Sequence, residues 1–293
     1  MFNFFMIVLE QALIYAPLVL GAYISFSLLK VPDLSLETAY LIGGFFGVTA
    51  LSCVGNYPLS IALMITLLAS IVGGMLVGLV SSCMTIYGKL PHLLSSIITF
   101  GLFHGLFQFF SSSYQSLSCY QNVLMVIPTV ARYPEVATLI LISVILVNMC
   151  VYFLSTQLGY SFAIFGYNPY FFRHFNISTA YVFITGIMIA NGLAGLAGFL
   201  FAQTSNLIEL NMGIGKSLFC ITALILGRSI ISSKKSTVLI PIFGVVAYFA
   251  VQQLLLKVGF NLKYFTMIQS LLVLVILLSI YQKDRNQYDQ LGV

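Results

Sequence analysis

The sequence predicts an all-α, polytopic membrane protein with about nine transmembrane helices, eight to ten being compatible with its pattern. Three observations carry that expectation. The 293 residues are 60% hydrophobic and only 6% charged, with a mean hydropathy of +1.05, whereas a soluble domain carries roughly 25% charged residues to wet its surface. The few charges are also widely separated. None falls between Glu37 and Lys89, Lys89 and Arg132, Glu135 and Arg173, or Arg173 and Glu209, and each gap exceeds the ~20 apolar residues that cross a hydrocarbon core. Finally, the apolar stretches are solid runs rather than ~10-residue alternating segments, so helices and not barrel strands would satisfy the backbone in lipid.

This composition excludes an ordinary soluble enzyme, a disordered chain and a soluble nucleic-acid binder. The net charge of +5 contains no basic cluster beyond Lys234-Lys235, so no nucleic-acid partner is expected. Membrane lipid is the surrounding medium.

Apolar runs and polar breaks place the spans at about 4–29, 34–52, 58–85, 92–112, 136–155, 179–203, 215–231, 236–257 and 262–281. The first has no basic leader and no small-residue cleavage site, so it is expected to be retained. The second opens on Asp33, Ser35 and Glu37 and contains Gly43-Gly44; a broken or re-entrant segment buried in protein is an alternative there. In the third, Gly73-Gly74 and Gly78 offer small packing surfaces, and the fourth carries His104 among Phe100, Phe103 and Phe107. The sixth holds Gly192, Ala194, Gly195 and Gly198 at the small-xxx-small spacing that lets helices approach closely. A glycine-rich entry, Gly213-Ile214-Gly215, precedes the seventh.

Basic residues orient the stack. Lys89, Arg173, the group Arg228, Lys234 and Lys235, and the pair Lys283 and Arg285 all fall on one side if nine spans end in a cytoplasmic C-terminus. Lys257, Lys263 and Arg132 dissent. The N-terminus would then face out.

Two connections are long. Residues 113–135, expected outside, are rich in Ser, Tyr and Gln. Residues 156–178, expected inside, carry Tyr160, Phe162, Phe165, Tyr167, Tyr170, Phe171 and Phe172. Such an aromatic segment marks either a partner surface or a helix lying in the headgroup layer, and the residues alone divide evenly between the two.

Among possible chemical motifs, Gly213-Ile214-Gly215-Lys216-Ser217 resembles a phosphate loop only in part. Position 210 is Leu where that loop needs Gly, and no soluble strand precedes it. Glu10, His104, Asn148, Asn191, Gln203, Gln252 and Gln253 are the polar groups expected within the spans. Ionisable groups in lipid are functional candidates, which singles out Glu10 and His104. Against that, Glu10 lies near an interface, and a lone His among Phe residues is more often a structural hydrogen-bonding residue. No GxSxG sequence is present, and the acids are too sparse for the dense chain an ion-coupled carrier uses. No catalytic residue, metal-ligand set or cofactor is indicated. The five cysteines form no CxxC; Cys53 and Cys119 fall near ends placed outside, where a disulfide between them is one option.

Three segments carry a family resemblance. Pro32-Asp33-Leu34-Ser35-Leu36-Glu37 follows the first span, Leu158-Gly159 precedes Gly166-Tyr167-Asn168-Pro169, and Ala202-Gln203 precedes Asn211-Met212-Gly213-Ile214-Gly215. In order and spacing they resemble the ABC transporter permeases of the branched-chain amino acid and sugar permease superfamily, in the branch paired with tryptophan/tyrosine-type binding proteins. The resemblance covers nearly the whole chain. It implies a single permease domain over residues 1–293 and a non-enzymatic role moving a small solute, plausibly an amino acid, across the cytoplasmic membrane. It also implies a second permease copy, two cytoplasmic ATP-binding subunits and an extracytoplasmic substrate-binding protein. An ion-coupled secondary transporter is the alternative.

The resemblance further implies that Leu158 to Ile177 is the segment that docks into the ATPase, with Gly159, Phe165, Gly166, Asn168, Pro169, Phe171 and Arg173 as coupling residues. Gly166 is expected to allow a tight turn, and Pro169 to start the docking helix with Asn168 as its cap. This sequence departs from the family with Ala163 in place of Arg, Tyr167 in place of an acid and Asn176 in place of Gly, which suggests a specialised ATPase partner. Glu10, Asp33, Glu37 and Asn191 are the expected polar residues of the path or gate; anchoring of neighbouring helices is the other role open to each.

Overall fold

In the computed structural model of the protein, the described residues are 2–54, 57–111, 114–117, 122–126, 134–174, 177–231, 238–259, 261, 264, 267, 269–271, 273 and 274. Helix α1 (Phe2–Ala22) continues into a π-helical turn, Tyr23–Leu28, matching the expected first span. Pro17 lies inside α1, where it removes one backbone donor. The wide turn ends at Lys30, which has a left-handed φ of 55°, and the chain then places Asp33 in the interior with no exposed surface. The π-turn, which sequence periodicity does not reveal, therefore aims a carboxylate inward.

The remaining elements are α2 (Ser35–Val54), α3 (Leu59–Ile86), α4 (His92–Phe110), β1 (Tyr114–Ser116), α5 (Pro134–Leu154), α6 (Gln157–Tyr167), α7 (Phe171–His174), α8 (Thr179–Ser205), β2 (Leu207–Glu209), α9 (Lys216–Ile230) and α10 (Leu239–Lys257). Strands β1 and β2 pair antiparallel, Tyr114 opposite Glu209 and Ser116 opposite Leu207. They tie the connection after α4 to the one after α8, a link the sequence analysis did not anticipate.

Seven described helices are long and apolar enough to cross a membrane: α1 with its π-turn, α2, α3, α4, α5, α8 and α10. The expectation of nine spans is not met among the described residues. Helix α9 is found where the seventh was placed, but its 15 residues extend only about 22 Å at 1.5 Å per residue, short of a ~30 Å hydrocarbon core. Its start is set late by tertiary contact. Gly213 packs so closely on the Glu37 carbonyl that no Cβ fits there, and Gly215 turns the chain at φ 80° immediately before the helix. The expected ninth span, 262–281, lies largely outside the described residues.

Helix α8 is the centre of the bundle, packed between α2 and α3. The small residues make this contact, as expected. A side chain on Gly74 of α3 would strike the Asn191 carbonyl, and one on Gly198 of α8 would strike the Tyr40 carbonyl. The opposite faces of α3 and α5 present Met64, Leu68, Val72, Ile145 and Met149 outward, the pattern of helices solvated by lipid. Cys53 is unpaired; Cys119 lies outside the described residues.

At one end of the bundle, α6 packs on the π-turn and on α8. Here the tight-turn reading of Gly166 is corrected. Gly166 is a helical residue of α6, and a Cβ there would overlap the Leu28 carbonyl. Its role is close helix approach rather than a reversal. The docking-helix reading also changes: the main helix of this segment, α6, precedes Asn168, and Pro169 is followed only by the four-residue α7.

Candidate functional site

The face of α1 carrying Glu10, Gln11, Ile14 and Tyr15 opens onto a cavity of about 500 Å³. Its other walls are the end of α8 (Phe201, Thr204, Ser205), the start of α9 (Gly215, Lys216, Phe219), α10 (Tyr248, Phe249, Gln252) and Gln269. Aromatic rings interlock around it. Tyr15 lies 5.3 Å from both Phe219 and Phe249, and Phe219 lies 4.6 Å from Tyr248 in an edge-to-face contact. Lys216 projects among these rings. Its Nζ donates to the Tyr15 hydroxyl at 2.9 Å and stands 4.5 Å from the Tyr15 ring centroid and 5.6 Å from that of Phe201.

Glu37 of α2 positions this lysine. Its carboxylate accepts the backbone N–H of Ser217 at 3.1 Å, so an acid from another helix caps the first turn of α9, where the helix dipole favours negative charge. The cap and the Gly213 contact with Glu37 together fix where α9 begins.

Asp33 and Asn191 meet in a second, fully buried cluster. The Asn191 amide donates to Asp33 Oδ2 at 2.9 Å, and the Ser35 N–H donates to Asp33 Oδ1 at 2.9 Å. The Ser35 hydroxyl bonds both Asp33 and Asn191. His92, the first residue of α4, brings Nε2 to 3.6 Å from Asp33 Oδ1, while its Nδ1 is 3.1 Å from the Thr85 hydroxyl. Burial alone would raise the Asp33 carboxyl; His92 and Ser35 outweigh it and hold the group below the ordinary carboxylate value.

From this cluster a chain of rings leads to α6. Phe183 of α8 makes a perpendicular contact with His92 at 5.3 Å and touches Phe165 of α6 at 5.8 Å. Gly159 makes the sharp junction with α5, where a Cβ would overlap Leu154. Asn168 ends α6, and its side chain accepts the Tyr170 N–H at 3.1 Å. Pro169, Tyr160, Tyr167, Tyr170 and Phe171 are exposed, while Phe162 and Phe172 are buried. Lys30 Nζ sits 3.5 Å over the Tyr167 ring. Arg173 belongs to α7.

Of the four expected path residues, Glu10 alone lines the cavity. Asp33 and Asn191 are brought together elsewhere, and Glu37 acts on the cavity through α9. His104 stacks on Phe100 at 5.3 Å in α4, apart from both sites. Sequence reasoning missed Lys216, Tyr15 and His92. For Lys216 a signal existed: it is the lone charge between Glu209 and Arg228. For Tyr15 and His92 there was none.

Residues 4–277 match the family described as "Branched-chain amino acid transport system / permease component", and the chain belongs to that family of membrane permeases. An uncharacterized protein of Rickettsia prowazekii (strain Madrid E) is 27% identical over 292 residues, covering 96% of this chain and 99% of that one. A tyrosine transport system permease protein of Clostridioides difficile (strain R20291) is 29% identical over 221 residues, covering 75% of this chain and 71% of that one. No solved structure matches the chain.

Proposed function

We propose that this permease imports an amino acid through the bacterial cytoplasmic membrane, with ATP hydrolysed by two cytoplasmic partner subunits. Tyrosine is the first substrate to try, since one relative is a tyrosine transport permease. In this reading an extracytoplasmic binding protein delivers solute to the end of the bundle that holds the cavity, and a second copy of the chain completes the pathway. The C-terminus is cytoplasmic and the N-terminus lies outside.

The observation that carries this reading is the separation of two unlike ends. The cavity lies beside Phe201, and α6, which exposes Tyr160 and Tyr167, packs Phe165 against Phe183. Eighteen helical residues apart (201 − 183), these two points on α8 are about 27 Å distant. Docking of an ATPase on α6 and α7 through Phe171, Pro169 and the exposed tyrosines would push on the π-turn through Gly166 and on His92 through Phe165 and Phe183. The Asp33–Asn191 cluster then carries the movement to α2, and Glu37 passes it to the start of α9 at the cavity floor.

Reconstitution tests this. Vesicles holding the permease, its ATPase and its binding protein should accumulate labelled tyrosine or another amino acid only with internal ATP. Uptake by this chain alone on an ion gradient would favour the ion-coupled alternative.

A further inference from the structure

We propose that the cavity is a zwitterion site: Lys216 receives the carboxylate of a free α-amino acid, Glu10 receives its ammonium, and the aromatic wall holds a large apolar side chain. The proposal deepens the amino-acid import reading and rests on it.

Four observations support the assignment. First, the cavity has one ammonium and one carboxylate among its lining groups, Lys216 and Glu10. The lining thus offers one charge of each sign to an occupant. Second, neither makes a salt bridge among the described residues, although Glu37 lies within electrostatic reach of Lys216 and Glu135 within reach of Glu10. Among the described residues, the approach within 4 Å between a basic side chain and a carboxylate is that of His92 to Asp33, and Lys216 Nζ donates to the Tyr15 hydroxyl. An ammonium has three donors, so Tyr15 aims Nζ without satisfying it. Third, Gln252 Oε1 and Gln269 Nε2 are buried and have no hydrogen-bond partner, and both residues line the cavity. Gln269 is 5% exposed. An unpartnered acceptor and an unpartnered donor on two lining residues leave polar valences at the cavity wall that a rotamer change can turn to a polar occupant. Fourth, Phe201, Phe219 and Phe249 give the same space an apolar wall, and its volume of about 500 Å³ is in the range of small-molecule sites.

Glu10 lies five residues before Tyr15 (15 − 10) on α1, about 7.5 Å further along the helix axis. The backbone positions that carry Glu10 and the lysine's partner Tyr15 are thus about a turn and a half apart on α1. A ligand that bridges Glu10 and Lys216 must carry both a cation and an anion; a simple amine or a simple acid can satisfy one end only.

The test measures binding to the permease–ATPase complex in nanodiscs without binding protein, so that the selectivity read is this chain's own. Probes are L-tyrosine and L-leucine, with the corresponding amines, tyramine and isoamylamine, and the corresponding acids, 3-(4-hydroxyphenyl)propionate and 4-methylpentanoate. Wild type should bind at least one amino acid about tenfold or more tightly than its amine and its acid. Lys216→Met should abolish the preference over the amine and keep that over the acid. Glu10→Gln should do the reverse. Where Lys216→Met fails to assemble, Tyr15→Phe, which frees Nζ from its hydroxyl, should weaken the preference over the amine several-fold.

Equal weakening of every probe by both variants, or no binding of either amino acid by wild type, would overturn the proposal. ATP-driven uptake by the same preparations separates this inference from the reading beneath it. Uptake with unaltered selectivity in the variants removes the zwitterion site and leaves the transporter. Paired selectivity losses without any uptake leave the site and remove the transporter.

Discussion

Asn191, near the middle of α8, donates its side-chain amide to Asp33 at 2.9 Å across 158 residues of sequence. That bond closes the link between α1 and α2 onto the central helix. It has a direction: Asn191 donates and the carboxylate accepts.

Asp33→Asn is therefore not a mild change. The new amide can accept from Ser35 through its oxygen, but its NH₂ then faces the Asn191 NH₂, and a buried donor loses its partner. A loss of about 1–3 kcal/mol is expected, read as a lower thermal midpoint in detergent. Adding Asn191→Asp to Asp33→Asn restores a donor–acceptor pair and should recover part of the loss, which a double-mutant cycle measures. Because the folded-state Asp33 carboxyl lies below its ordinary value, its contribution is present above about pH 4 and fades as the pH falls through the lowered value. Wild type should approach the variant only in acid.

Glu37 caps α9 from outside that helix. Glu37→Ala leaves the buried Ser217 N–H without an acceptor and should cost about 1–2 kcal/mol. Hydrogen exchange in the first turn of α9 should speed up while the middle of α8 stays protected. Glu37→Gln keeps an acceptor and should exchange more slowly than Glu37→Ala.

At α6, Gly166→Val forces a branched side chain into the Leu28 carbonyl, so the helix must shift off the π-turn. ATPase co-purification and transport-coupled hydrolysis should both fall. Phe171→Ala should weaken ATPase association more than it lowers stability, because Phe171 keeps 37% of its surface exposed while its ring packs on Phe172. Phe165→Ala removes a contact inside the chain and should lower stability by roughly 1–2 kcal/mol, part of the 1.5–3 expected for a fully buried phenylalanine. A membrane-surface role for α6 predicts unchanged complex formation and hydrolysis in all three.

Sidedness follows from the separation of the two ends. With Cys53 and Cys119 replaced, a cysteine at Tyr114 should react with an impermeant thiol reagent added outside, and one at Tyr170 should react only in inverted vesicles. The opposite pattern would put α6 on the wrong face for an ATPase.

Most of the helical framework was legible in the sequence, because uncharged runs such as Leu59–Ile86 can be little else in a bilayer. What stayed hidden depends on contacts between distant residues. Gly166 reads as a turn until the Leu28 carbonyl is placed against it. Lys216 reads as the flank of a span until Gly213 meets Glu37 and starts α9 inside the bundle. The residue types of the polar sites were visible in Glu10, Asp33, Glu37 and Asn191, but their division between a cavity, a buried cluster and a helix cap was not. That division comes from the π-turn and the short α9, neither of which leaves a mark in periodicity.

Amino-acid uptake into proteoliposomes decides whether this chain moves an amino acid at the expense of ATP hydrolysed by partners. Accumulation should require the ATPase, the binding protein and internal ATP, and Gly166→Val should abolish it. Accumulation by the isolated chain on a proton or sodium gradient, with no ATP present, would contradict ATP-driven transport.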